Sequence, residues 1–79
     1  MYMEKLYSAT TAGKNIIIVF YVVTGIRAYS LNLGNVTIIN GPIITKDRLT
    51  VVVEDKNGNK KGKVYSLKTG VVSYSFDVK

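Results

Sequence analysis

Five carboxylates and eleven lysine or arginine side chains carry the charge of this 79-residue chain, which holds neither histidine nor cysteine. The common general base and the thiol nucleophile are therefore missing. So is the usual nitrogen ligand of a structural zinc, and no disulfide can form. The carboxylates are Glu4, Asp47, Glu54, Asp55 and Asp77, of which only Glu54 and Asp55 are adjacent. Neighbours on a strand point to opposite faces, so this pair is poorly placed for acid–base work and reads as the solvated end of a strand. These residues point away from an enzyme, and no cofactor is expected.

Three short motifs hint at ligand chemistry and then fail. Gly13-Lys14 ends like a phosphate loop, but that motif needs glycine at position 8 and serine or threonine at 15, where the chain has Ser8 and Asn15. A hairpin turn is the simpler use. "DKNGN", Asp55 to Asn59, opens like a calcium loop. An EF-hand then needs glycine sixth and glutamate twelfth, and those positions are Lys60 and Ser66. Flanking lysines would also repel a cation, so a polar hairpin loop is expected. Asn35-Val36-Thr37 matches the glycosylation sequon, a three-residue pattern that arises by chance.

The cations form one denser run. Lys56, Lys60, Lys61, Lys63 and Lys68 lie close together, with no acid between Asp55 and Asp77, and Tyr65, Tyr74 and Phe76 are near in sequence. Lysines beside aromatics on a sheet can hold a phosphate backbone while bases stack on the rings. The run is the candidate anion or nucleic-acid site. Lysine rather than arginine suits a hydrated surface better than bidentate recognition. The net charge of +6 serves solubility as readily as an acidic partner. Tyr74 and Phe76 fall on the apolar side of their segment and are expected in the core.

What could hold these groups in place is a set of strands. Eleven Val, eight Ile and seven Thr stand against three Ala and five Leu. Side chains branched at Cβ suit a pleated surface. No segment shows apolar residues at helical spacing. We expect an all-β chain of eight strands: 5–9, 16–23, 26–31, 36–39, 43–45, 49–54, 63–67 and 71–78. Asn57-Gly58 marks a hairpin, and Asn40-Gly41-Pro42 marks a turn. The runs 16–23 and 49–53 are nearly all apolar and predict strands covered on both faces. In 71–78 the residues Val72, Tyr74, Phe76 and Val78 alternate with polar partners, which predicts one solvated face. The uncharged run 15–26 is too short to span a bilayer as a helix, which takes about 20 residues. It also lacks the cleavage site of a signal peptide.

The segments repeat. Tyr29-Ser30-Leu31 returns as Tyr65-Ser66-Leu67, Gly34 as Gly70, Val36 as Val72, and Ile16-Ile17 as Val52-Val53. A constant offset of this size marks propellers and other arrays. "GPIITKDRLTVVVEDKNGNKKGKVYSLKTGVVSYSF" resembles one blade of the quinoprotein-type (PQQ-like) β-propeller family. The resemblance is carried by Gly41-Pro42-Ile43-Ile44, the segment Val64-Tyr65-Ser66-Leu67, then Thr69-Gly70 and Tyr74. Residues 5–40 match more loosely. The family's aspartate before Thr-Gly is absent, and Tyr74 and Ile38 stand where it has tryptophan. The resemblance implies a fold, and does not imply a bound quinone.

One domain, 1–79, of two four-stranded antiparallel blade-like sheets, 5–40 and 41–79, is therefore expected. They would stack as in a propeller, and a small barrel or sandwich is the competing solution. Two blades do not close a ring, so each sheet would keep a sticky outer face. A homo-oligomer, or the rest of a longer chain, would cover it. The expected function is a non-enzymatic module acting by protein–protein contact or self-assembly. The alternative is a small basic β-barrel binding single-stranded nucleic acid.

Overall fold

A computed structural model describes residues 6–78. It is all-β, with no helix among the described residues and seven strands in two antiparallel sheets. The strands are β1 (Tyr7–Thr11), β2 (Ile16–Tyr21), β3 (Arg27–Asn32), β4 (Val36–Thr45), β5 (Arg48–Asp55), β6 (Lys60–Ser66) and β7 (Val72–Val78). Each pairs only with its neighbour in sequence: β1-β2-β3 make one sheet and β4-β5-β6-β7 the other. The all-β expectation and the two antiparallel sheets stand. The start of the expected 5–9 strand lies outside the described residues.

Three expectations are corrected. The first sheet has three strands instead of four, because 36–39 and 43–45 are one strand, β4, and all of it pairs with β5. Asn40-Gly41-Pro42 does not turn the chain. It is absorbed within the strand as two register shifts, between Ile38 and Asn40 and between Asn40 and Ile43. Gly41 supplies the left-handed backbone this requires, at φ 91°, and a Cβ there would stand 2.9 Å from the Thr50 carbonyl oxygen. The sheets thus divide between β3 and β4, before the residue 40/41 boundary.

The second correction concerns β2 and β5, which are not covered on both faces. Ile17 and Val19, and Leu49, Val51 and Val53, are fully buried, while their alternates are only half-buried. A chain this small has one layer of core to offer. Those five side chains join Tyr65 and Leu67 in a single cluster between the sheets, with Tyr29 and Leu31 packed against it. The Tyr29 hydroxyl crosses the gap to donate to the Leu67 carbonyl.

The third correction is in β7. A bulge sets Val72 opposite Tyr65 and Tyr74 opposite Val64. Directly opposed residues share a face. Val72 therefore lies on the core side and Tyr74 and Phe76 on the other, so the expected four-residue alternation breaks.

Candidate functional site

The outer face of the four-stranded sheet follows from its register. Ile43, Thr50, Val64 and Tyr74 form one cross-strand row, and Asn40, Val52, Gly62 and Phe76 the next. Tyr74 and Phe76, expected in the core, are 50% and 45% exposed. The core cannot take them because Tyr65, Leu67 and β5 already fill the other face. Their rings sit 6.4 Å apart, tilted by 38°. The tip of the Phe76 ring sits over Gly62, where a Cβ would come within 2.2 Å of it. Glycine at this place lets the aromatic cover the strand beneath it. The Arg48 guanidinium stands 5.9 Å from the Tyr74 ring centre, a cation–π contact. A shallow depression beside it is lined by Thr45, Lys46, Arg48, Thr50, Val64 and Tyr74, with the acid Asp47 at its side.

The lysine run does not converge. Lys60 lies opposite Glu54 and Val78 on the outer face, whereas Lys61 and Lys63 lie opposite Val53 and Val51 on the core side. Lys56 belongs to the β5–β6 loop, and Lys68 to the β6–β7 turn at the far end of the sheet. A run in sequence becomes a spread in space because strand neighbours point to opposite faces. The cation that does meet the aromatics, Arg48, was missed by sequence reasoning. Its signal was positional: it follows the Lys46-Asp47 turn and so enters β5 in the row beside Tyr74's.

The other motifs resolve into turns. Lys14 sits in the β1–β2 turn, and its carbonyl accepts from Ile38 N–H at 2.7 Å, tying that turn to the edge of β4. Asn15 Nδ2 donates to the Gly34 carbonyl at 2.6 Å. Asp55 holds the β5–β6 loop: one carboxylate oxygen accepts from the Asn57 and Asn59 N–H groups at 2.9 and 3.0 Å, and the other from Asn59 Nδ2 at 3.2 Å. These bonds, led by the Asn59 backbone N–H, hold its carboxyl below the usual carboxylate range. The Asp55 carboxylate is thus engaged by its own loop. Asn35, first residue of the sequon, is exposed just before β4. Among the described residues, no three acids, histidines or cysteines gather as a metal site would need. No helix among them is long and apolar enough to cross a membrane.

No protein-family model and no curated protein matches the chain.

Proposed function

We propose that the protein is a non-enzymatic β-module that acts by protein–protein contact, self-assembly included, through its four-stranded sheet. The observation that carries this is the half-exposed Tyr74–Phe76 pair on an uncovered sheet face. Large aromatics held in place by their own strand supply contact area at little entropic cost and dominate many interfaces. The blade reading belongs to the same proposal. It is supported by the four-stranded antiparallel order β4-β5-β6-β7 and by the matched positions of Tyr29 in β3 and Tyr65 in β6. The test is light scattering after size exclusion. The expected mass exceeds the 8.7 kDa of one chain, and Tyr74→Lys lowers it. A mass of one chain at every concentration would remove the self-assembly half of the reading.

A second reading, single-stranded nucleic acid on the same face, is favoured by the Arg48–Tyr74 contact. Rings that stack bases beside a guanidinium suit such a ligand. A labelled oligonucleotide should then bind with affinity that falls steeply with salt. Arg48→Ala and Lys60→Glu should weaken it while Lys61→Glu, on the other face, should not. Equal effects from Lys60→Glu and Lys61→Glu would point to bulk charge alone.

A further inference from the structure

We infer that β7 is a self-pairing edge: two copies of the chain join antiparallel through it, about a two-fold axis at Ser75, and merge their four-stranded sheets into one of eight. The inference rests on the self-assembly reading above. It names the partner, a second copy of this chain, and the seam.

The two edges of the four-stranded sheet are unlike. Exposed edges invite pairing, and proteins guard them with lysine, proline, bulges or cover. β4 is guarded. It holds Pro42 and two register shifts, and its Ile38 N–H is taken by the Lys14 carbonyl. β7, "VSYSFDV", contains neither lysine nor proline, and six of its seven residues are exposed. Its one irregularity lies at the Val72–Tyr74 end, which leaves Tyr74 to Val78 in regular register.

The backbone of β7 is turned correctly for such a partner. Ser66 N–H donates to the Val71 carbonyl, so Ser66 points its backbone groups toward β7. Alternation along β6 then points Val64 and Gly62 toward β7 and Lys63 away from it. Ser75 lies opposite Lys63. Its own N–H and C=O therefore face the free edge, as a hydrogen-bonded pair on a two-fold axis requires.

The side chains of β7 are symmetric about the same residue. Reading outward from Ser75 gives Tyr74 and Phe76, then Ser73 and Asp77, then Val72 and Val78. Antiparallel self-pairing about Ser75 sets aromatic against aromatic and polar against polar over Ser73 to Asp77, while the bulge turns Val72 to the core side and leaves it outside the match. Such cross-strand pairs are what stabilise a sheet. Asp77, the strand's one charged residue, meets the hydroxyl of Ser73 and stands four positions from its own copy. Pairing about Tyr74 instead would set Val71 against Asp77. Pairing about Phe76 instead would set Tyr74 against Val78 and Ser75 against Asp77. An isologous two-fold contact of this kind closes on itself and stops at the dimer.

The experiment is light scattering after size exclusion across a concentration series. The unmodified chain is expected at twice 8.7 kDa. Ser75→Pro removes the outward N–H without touching the ladder to β6 and is expected to elute as a monomer with an unchanged β circular-dichroism spectrum. Should that variant not fold, a charge pair carries the test. Ser75→Lys and Ser75→Glu each set like charges face to face across the axis and should be monomeric alone, and their equimolar mixture should recover the dimer mass. An oligomer whose mass none of these variants changes would overturn the seam and leave self-assembly standing. A single-chain mass at every concentration would overturn both.

Discussion

Among the described residues, Tyr29 is the one side chain whose hydroxyl bonds across the two sheets. Its loss as Tyr29→Phe should cost about 1 kcal/mol, the net worth of one such bond, and more if the Leu67 carbonyl is left dry. Burial first, and then the nearby Tyr7 and Tyr21 hydroxyls, raise its pKa above 10.0. A group raised in the fold stabilises it fully below the unfolded value and ceases to as pH climbs through the folded one. Urea midpoints should therefore fall above pH 10, and Tyr29→Phe should flatten part of that fall. Burial raises Tyr65 as well and accounts for a share of the remainder. Asp55 has the opposite sign. Its carboxyl is lowered from 3.8, so its bonds to the loop hold above that pH and are lost as pH falls through the folded value. Protection of the Asn57 and Asn59 amides relative to their intrinsic exchange rates should fall there, and Asp55→Ala should remove the same protection at neutral pH. At this scale the sequence was readable where chemistry is local. "DKNGN" announced a hairpin loop, and Asp55 closes it. Arg48 carried only a positional signal, because its contact with Tyr74 spans two hairpins and depends on register.

At the scale of elements, periodicity located every strand and misjudged how two of them join. Asn40-Gly41-Pro42 has the residues of a turn, yet β4 runs through it because Ile38 and Ile43, on either side, both find partners on β5. Pairing with a long neighbouring strand overrode local turn preference. Gly41→Ala should therefore be more costly than Gly58→Ala. Both replace a glycine at positive φ, but a Cβ at 41 meets backbone and one at 58 meets open space. Thermal melts should separate the two by several degrees, since about 1 kcal/mol moves the midpoint of a domain this size by roughly 4–8 °C. Gly62 is a second case. In a strand a lone glycine reads as weakness, yet here it seats the Phe76 ring. Gly62→Val should expel that ring, which would appear as a loss of its upfield-shifted contacts in proton NMR spectra. β7 shows the limit of alternation: one bulge moved Val72 to the other face, and no pattern in "VVSYSF" marks the bulge.

Across the whole molecule one thin layer of core serves two sheets, and the shape is correspondingly long, 45 by 21 by 18 Å. Leu49 is fully buried in that layer. Leu49→Ala should cost about 2–5 kcal/mol, a large part of the total expected for so short a chain. A denaturant titration of that variant should show its transition near the start of the curve. Composition foretold the all-β class, whereas the uncovered sheet face was expected only from the argument that two blades do not close a ring. Neither could foretell which face, because that depends on how the sheets divide the chain. The division itself bears on how fast the molecule assembles. Every ladder joins consecutive strands, so no distant loop has to close before a hairpin zips, and hairpins form in roughly 1–10 μs. Only the meeting of the two meanders, where Tyr29 reaches Leu67, asks remote parts of the chain to find each other. The rate-limiting barrier should lie in that encounter: substitutions at Tyr29 should slow refolding, and those in the β5–β6 loop should mainly hasten unfolding.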